Sequence, residues 1–465
     1  MLPLDPMTEP DTGAAPPEMI AALPAEKSSA LVEALALSEC PALTARRARR
    51  EEQTGVPHDP IVWTRALGAN VWDADGNRYV DLSAGFGAAA VGHNHPQVVA
   101  AIAAQSGKLV HALGDMHPSD VKIALLQKLA AIAPMPDARV MLGLSGSDAI
   151  TAALKTAVLT TGKSGVLAFA GAYHGLDYAP LAACGYSEAF RAPFAAQLNP
   201  HVMFAPYPGS ESELAASLEA VESALKANSR AADFVAAGRE PIGAVLVEPM
   251  LGRGGVVVPP SGFMSALSAL CAKHGALLVL DAIMAGLGRN GVAPFGVERS
   301  VRVDLICIGK ALGGGLPVSA CVGSGEAMRA WGKAAASTGG VPMHTGTFFG
   351  NPLGCASALA ALDVIERDSL AGRAAHVGTE LLRMLHMRLG PHVSAVRGMG
   401  FLIGIDTGSA ERGLTAGRRL LEAGYITVPA GDGSVISLTP PLTIDAALLD
   451  GFVTVCERTL AESAA

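Results

Sequence analysis

The stretch that decides the fold is Leu277–Gly323, LLVLDAIMAGLGRNGVAPFGVERSVRVDLICIGKALGGGLPVSACVG. It contains two short apolar runs next to residues that can carry chemistry: Asp281 closes the first, and Lys310 follows the second after one glycine. A third run elsewhere in the chain, AVLVE, ends in the same way at Glu248. Because ligands collect at the carboxyl ends of strands in open α/β sheets, these three side chains are candidate site residues.

On both sides of this stretch, short apolar runs alternate with helical patterns. Strands are predicted at 140–144, 166–170, 244–248, 276–281 and 305–308, and helices at 96–104, 119–132 and 148–160. Strands of this kind, flanked by Gly and Pro and separated by helices, indicate a mostly parallel sheet covered on both faces. The predicted fold class is therefore α/β.

The length of 465 residues suits two domains that share one chain. Residues 1–25 are rich in Pro and lack an apolar period, which predicts a disordered arm. Residues 26–85, with a hairpin around the turn at 73–77, are expected to join a small domain. The large domain is then predicted at 86–342, and 343–465 completes the small domain.

Composition excludes several classes of function. A net charge of -8 without a basic stripe argues against nucleic acid as a partner. The seven Cys show no C-x-x-C spacing, so we expect no disulfide framework or zinc site and a reducing, cytoplasmic location. No metal is expected at His93 and His95, which lack further ligands. The acidic N-terminus lacks a secretory signal, and the apolar stretches are too short for a membrane span, so we expect a protein that does not contact membranes.

Further motifs extend the pattern around Lys310 to most of the chain. In order they are DLSAGFGAAAVGHNHP, SGSDA, AYHG, VEPMLGRGGVVVPPSGF and HTGTFFGNPLGCASALAAL. With the stretch quoted above, they resemble the class III (ω-type) aminotransferases of the fold-type I pyridoxal-phosphate superfamily, over roughly residues 61–455. The resemblance implies a large domain with a mostly parallel, seven-stranded-type sheet, a small α+β domain, and a homodimer with shared active sites.

The resemblance implies that Lys310 carries pyridoxal 5'-phosphate as a Schiff base, that Asp281 faces the ring nitrogen, and that Tyr173 stacks on the ring. The physical chemistry agrees with these catalytic roles. A Schiff-base lysine must be nucleophilic near neutral pH, which requires burial or a nearby cation. A buried carboxylate favours the protonated ring nitrogen, and protonation makes the ring an electron sink.

The phosphate is expected at SGSD, between a strand and a helix, where free N–H groups attract an anion. Here the resemblance implies contacts from Gly146 and Ser147, while the alternative is a plain helix cap. It also implies that Thr347 reaches the phosphate of the neighbouring subunit. The remaining cofactor-binding candidates are His174, Glu248 and Met284.

Near the cofactor, the chain departs from the family pattern at three positions. Ala282 replaces the Glu that usually follows the aspartate. Met284 stands where many members have a Gln beside the phenolic oxygen, and Leu251 replaces another usual Gln.

Two further departures concern the substrate, for which Phe86 is also a candidate contact. Arg253 stands where many aminotransferases carry a gating Glu, and Ser437 replaces the Arg that grips an α-carboxylate. The two changes make sense as a pair, because a Glu without its Arg would be an unpaired charge. Arg253 is then either a new anchor for a substrate carboxylate or an arginine turned out to solvent.

The predicted activity is transfer of an amino group from an amine or amino acid to an oxo acid or aldehyde, with Lys310 as the general base for a 1,3-proton shift. Phrases such as GKSGVLAFAGAYHG and TPPLTI also resemble the amino-acid and aminocaprolactam racemase branch of the same fold. That branch shares the Lys310 and Asp281 machinery, so a racemase or epimerase remains the alternative to the aminotransferase.

Overall fold

The computed structural model describes residues 12–55, 60–226 and 240–462. The helices in these ranges are α1 (Glu26–Ala36), α2 (Pro41–Thr54), α3 (Ala84–Gly87), α4 (Pro96–Lys108), α5 (Asp120–Ile132), α6 (Gly146–Thr161), α7 (Tyr178–Ala182), α8 (Glu188–Arg191), α9 (Glu211–Lys226), α10 (Phe263–His274), α11 (Gly325–Ser337), α12 (Pro352–Arg367), α13 (Leu370–Leu389), α14 (Ala410–Glu422) and α15 (Ala446–Glu462). None of them has both the length and the apolar character needed to cross a bilayer.

The strands of the same ranges are β1 (Trp63–Leu67), β2 (Asn70–Asp73), β3 (Arg78–Asp81), β4 (Arg139–Gly143), β5 (Gly165–Phe169), β6 (Val202–Ala205), β7 (Ile242–Val247), β8 (Leu277–Asp281), β9 (Leu305–Ile308), β10 (Ser319–Gly323), β11 (Ala395–Met399), β12 (Leu402–Asp406), β13 (Tyr425–Ile426), β14 (Val428–Ala430) and β15 (Val435–Leu438). Short 3-10 helices lie at Ala192–Gln197, Lys310–Gly313 and Gly390–His392.

The large sheet has seven strands in the order β4-β10-β9-β8-β7-β5-β6. Strand β10 runs antiparallel to β4 and β9, while the pairs among β9, β8, β7, β5 and β6 are parallel. This confirms the predicted α/β class and mostly parallel sheet. Because β7, β8 and β9 are neighbours that run in one direction, the residues at their carboxyl ends are brought to one edge of the sheet.

Helix α6 covers this sheet with a face of small residues. Ala149, Ala152, Ala153 and Ala157 are buried in one core cluster with residues of β5, β7, β8, β9 and β10. Because most of the buried side chains on this face are alanines, the helix backbone approaches the sheet closely. The start of α6 is therefore held near the strand ends.

The chain forms two compact units, and the smaller one contains a four-stranded sheet of order β1-β2-β3-β13. Strands β14 and β15 belong to a further four-stranded sheet, of order β11-β12-β15-β14. The predicted hairpin is confirmed, since β2 and β3 pair antiparallel around the turn. Asp73 stabilises that turn through Oδ1, which accepts from the backbone N–H groups of Asp75 at 3.0 Å and Asn77 at 2.9 Å.

The prediction of a disordered arm is wrong for residues 12–25, while residues 1–11 lie outside the described residues. The N–H of Ala15 donates to Asn70 Oδ1 at 2.9 Å, and those of Ile20 and Ala21 donate to Asn77 Oδ1 at 2.8 Å. Asn70 and Asn77 are fully buried. The extended arm satisfies these polar groups, which would otherwise carry a desolvation cost, and so it is ordered without an apolar period of its own.

The domain boundaries differ from the predicted ones. One unit comprises the described residues up to Pro96, Thr379–Val396 and those from Ile403 onward, and the other comprises Gln97–Gly378 and Arg397–Leu402. The large unit therefore extends well past residue 342. The reason is α12, whose buried small residues pack against α5 and against the 3-10 helix that begins at Lys310.

Candidate active site

Three side chains lie at the carboxyl ends of neighbouring strands in the large unit. Glu248 follows β7, Asp281 ends β8, and Lys310 follows β9 after Gly309. Glu248 and Asp281 are each 4% exposed, and Lys310 is partly buried. Buried carboxylates are costly unless they are bonded, and both of these acids have their own set of donors.

Asp281 is held by His174, a residue 107 positions away in the chain. The Nδ1 atom of His174 lies 2.6 Å from Asp281 Oδ2, and the backbone N–H of Ile283 donates to Oδ1 at 3.1 Å. An ionised carboxylate only accepts, so the imidazole donates its Nδ1–H. His174 Nε2 is buried and has no hydrogen-bond partner in the described part of the chain. The pair holds Asp281 in one orientation.

Glu248 joins two loops of the site. Its Oε1 accepts from the backbone N–H of Tyr173 at 2.9 Å, and its Oε2 accepts from that of Gly252 at 3.0 Å. Burial, together with the nearby charge of Asp281, raises the pKa of Glu248 to about 7. This carboxyl therefore positions the loop that carries Tyr173 and the loop that carries Arg253.

Lys310 has a left-handed backbone, with φ at 35°, which is a strained conformation for a side-chain-bearing residue. Burial lowers the pKa of its ammonium, and the positive charges of Arg253 and Arg289 act in the same direction. The negative charges of Asp281 and Glu248 oppose that shift. A lysine with a lowered pKa has more free amine at neutral pH, which is the form that attacks a carbonyl.

The start of α6 lies beside the segment of Lys310, because a Cβ built on Gly309 would be 3.8 Å from Gly146 Cα. Gly146 itself has no room for a side chain, since a Cβ would meet Ile283 Cδ1 at 2.8 Å. The helix cap is Ser145, which forms a capping box with Asp148. The helix-cap role predicted as an alternative is therefore filled by Ser145. Gly146 and Ser147 are not the cap, and they lie in the first turn of the helix, where an anion can bind.

Arg253 lies against two aromatic rings. Its guanidinium carbon is 4.7 Å from the ring centre of Tyr173 and 5.2 Å from that of Tyr186. The two rings meet edge to face with centroids 6.0 Å apart. The structure thus excludes an arginine turned out to solvent. Tyr186 belongs to no motif and was not predicted from the sequence; its only signal is its position 13 residues after Tyr173, directly after Gly185.

Met284 packs in an apolar cluster with Met250, Val256, Ala285 and Leu402. A Cβ on Gly252 would lie 2.3 Å from its sulfur, so the thioether rests on that glycine. Thr347 is exposed on the loop before α12. The other substrate candidates belong to the small unit: Phe86 is 53% exposed with φ at 61°, and Ser437 is buried on β15.

These groups fit pyridoxal phosphate, which has an aldehyde, a basic ring nitrogen and a phosphate. The large unit offers an amine with a lowered pKa at Lys310, an oriented buried carboxylate at Asp281, and a helix start without side-chain obstruction at Gly146. The chain thus offers one group for each of these three parts of the cofactor. Tyr173 and Arg253 lie on the two loops that Glu248 joins.

The chain is similar to known proteins in sequence and in fold. The family model of class-III aminotransferases matches residues 52–460. The acetylornithine aminotransferase of Mycobacterium bovis is 35% identical over 85% of this chain and 90% of its own length. The 2-aminoadipate transaminase of Pseudomonas putida is 32% identical over 87% and 96%. The solved ornithine aminotransferase of Toxoplasma gondii is 27% identical with a TM-score of 0.77, over 95% of this chain and 99% of that one.

The fold and the site define an enzyme of the fold-type I class. The chain belongs to the class-III aminotransferase family. The predicted aminotransferase activity is confirmed at the level of the family, and the racemase alternative is not favoured. The family and its solved members imply pyridoxal phosphate as the cofactor.

Proposed function

We propose that this chain binds pyridoxal phosphate at Lys310 and transfers the amino group of an amine or amino acid to an oxo acid or aldehyde. The observation that carries the proposal is the pair of neighbouring strand ends. One presents Asp281 held by His174 at 2.6 Å, and the other presents Lys310 with a lowered pKa. Structural lysines and aspartates rarely combine burial, orientation and adjacency in this way.

When bound, pyridoxal phosphate supplies an electron sink for the charge left on the substrate carbon. Asp281 would hold its negative charge opposite the ring nitrogen, and His174 keeps that carboxylate in place. The free amine of Lys310 would remove a proton from the substrate carbon and carry it through the 1,3-proton shift that amino transfer requires. Tyr173 would clamp the ring plane, and Met284 would add only van der Waals contact where a Gln would donate a hydrogen bond.

For the phosphate we propose the first turn of α6, with Gly146 supplying close backbone approach and Ser147 a hydroxyl. Glu248 takes no part in proton transfer in this scheme. Its two carboxylate oxygens accept backbone N–H groups of Tyr173 and Gly252, and these bonds fix the positions of the two loops relative to each other. A loose Tyr173 loop would also release His174, its neighbour in the chain.

Lys310 is tested by reducing the enzyme with borohydride and mapping the pyridoxyl-labelled peptide. We expect the label on Lys310 and none in the Lys310→Ala variant. Lys163 is the matched control, because its pKa is also lowered by burial while it donates to the Gly275 carbonyl at 2.9 Å. A label on Lys163 or any other lysine would refute the assignment.

Amino transfer is tested by supplying an amino donor without an acceptor. We expect one equivalent of oxo product per active site, and the absorbance of the cofactor should change once and then stay constant. A single-enantiomer amino acid that loses its chirality over many turnovers, with no oxo product, would instead indicate the racemase chemistry.

We further propose a homodimer in which Thr347 contacts the phosphate bound by the partner subunit. Exposed apolar side chains lie on the loop of Thr347, at Val341 and Phe348, and on the segment that this loop contacts, at Val110 and Met116. Exposed apolar area of this kind is typical of a surface that is covered in an assembly. Light scattering over a dilution series, with cofactor content measured alongside, should show cofactor loss as dimers dissociate; a fully loaded, active monomer would contradict the proposal.

The substrate class is narrower than the family alone implies. Relatives at 32–35% identity act, by name, on acetylornithine and 2-aminoadipate, and we propose an amino acid and an oxo acid here as well. Phe86 is proposed as an aromatic contact because it is half exposed. Ser437 is also proposed as a substrate contact, with a short uncharged side chain where many aminotransferases carry an Arg. The cytoplasmic location stays a prediction.

A further inference from the structure

Arg253 has an unusual environment for a cation. Its guanidinium is flanked by the rings of Tyr173 and Tyr186 at 4.7 and 5.2 Å. Its Nε atom is buried and has no hydrogen-bond partner among the described residues. Aromatic rings stabilise the charge from their faces, but they leave the in-plane N–H donors of the guanidinium unused.

The nearby carboxylates do not accept hydrogen bonds from the guanidinium N–H groups of Arg253. Both oxygens of Glu248 accept backbone N–H groups, and both oxygens of Asp281 accept from His174 and Ile283. No acid in the described ranges forms an ion pair with Arg253. A buried donor without an acceptor is unfavourable, so the site gains free energy when an anion with two oxygens arrives and accepts side-on from Nε and one Nη.

Arg253 is also coupled to the reacting end of the site. Its charge contributes to the lowered pKa of Lys310, so the two groups lie within electrostatic range of each other. The backbone N–H of Gly252, the preceding residue, is tied to Glu248 at 3.0 Å. The backbone that carries Arg253 is therefore fixed, and two rings lie against the guanidinium.

We infer that Arg253 is the anchor for a carboxylate on the amino substrate, a role that rests on the proposed aminotransferase function. The substrate class is then an amino acid whose carboxylate is separate from the reacting amine and is bound by the Tyr173–Arg253–Tyr186 cluster. The absence of an arginine at Ser437 fits this assignment, because one anchor suffices for one carboxylate. Simple amines lack the group that the cluster recognises.

Binding is tested with ligands that cannot react. Holoenzyme is titrated by calorimetry with straight-chain acids of three to six carbons and with the amides of the same acids. In the Arg253→Gln variant we expect at least one acid to bind about 10- to 100-fold more weakly, while every amide is unchanged. Arg302→Gln, which removes an exposed arginine on the surface, is the charge control and should match wild type.

Equal weakening of an acid and its amide would make Arg253 a merely structural residue and overturn the inference. The inference is likewise overturned if no acid of the series binds wild type better than its amide, or if the variant keeps full affinity. The Arg253→Lys variant should regain only part of the acid affinity, because an ammonium keeps the charge but not the two parallel donors.

Kinetics separate this inference from the proposed function. For ω-amino acids of three to six carbons, Arg253→Gln should lower kcat/KM by about 30- to 1000-fold, and the matched alkylamines should change by less than about 3-fold. Borohydride label on Lys310 is measured in the same preparations. Intact label with equal losses for both substrate series overturns the anchor alone, whereas label missing from Lys310 in wild type refutes the proposed function.

Discussion

Relative to the wild-type apoenzyme, the Glu248→Gln variant is expected to gain stability as the pH rises from 4 to 8. The pKa of Glu248 rises from 4.5 to about 7 because the carboxyl is buried beside Asp281. A group with a raised folded-state pKa binds its proton more tightly in the folded protein. For a carboxyl, stability therefore falls as pH rises from 4.5 to 7 and is constant outside that window.

The magnitude follows from the same values. At about 1.4 kcal/mol for each pKa unit, a rise from 4.5 to about 7 corresponds to roughly 3 kcal/mol lost between pH 4.5 and pH 7. The amide NH2 of glutamine replaces one acceptor oxygen, which lowers stability equally at every pH, but glutamine does not titrate and so escapes the loss of roughly 3 kcal/mol. With an unfolding entropy of about 2.1 cal/mol/K per residue over 465 residues, this gives about 3 °C in Tm.

Scanning calorimetry of the wild-type and variant apoenzymes at pH 4 and pH 8 measures how the stability difference changes with pH, and other titrating groups cancel between them. Glu222→Gln is the control of opposite sign. Lys273 and Lys226 hold the pKa of Glu222 down at about 2, so its replacement should lose stability at pH 8 rather than gain it. A stability difference between Glu248→Gln and wild type that is the same at both pH values, or that moves in favour of wild type as the pH rises, would refute the reasoning.

Two further changes test the cofactor site. His174→Leu should weaken pyridoxal-phosphate affinity by about 5- to 150-fold, because Asp281 Oδ2 loses its donor at a cost of about 1–3 kcal/mol. Spectroscopic titration measures this affinity. His174→Asn, which keeps an N–H donor, should recover part of it. Gly175→Ala should also weaken cofactor binding, because its Cβ would lie 2.2 Å from Ser147 Oγ and φ is 118°. Gly162→Ala, where a Cβ meets nothing within 4 Å, is the control, and equal effects of the two glycine changes would exclude Ser147 from the phosphate site.

Much of the fold could be predicted because its strands are short apolar runs with clear ends. The strand predicted at 305–308 is observed at Leu305–Ile308, and the one predicted at 276–281 begins one residue later. Boundaries between domains were harder, since they depend on which surface buries α12 rather than on any local pattern. The arm at 12–25 was missed because its order comes from the buried Asn70 on β2 and Asn77 in the turn before β3, both far away in the sequence.

The sequence by itself determined the chemistry-bearing residues at the strand ends, Asp281 and Lys310, and the family to which the chain belongs. These are local properties, because a strand end, a following glycine run and a motif each lie within a few consecutive residues. Tertiary structure alone decided which residues serve them. His174 reaches Asp281 across 107 positions, and Arg253 packs against the adjoining rings of Tyr173 and Tyr186. Such partners depend on strand order and register, which are set by the packing of the whole sheet and not by any one segment.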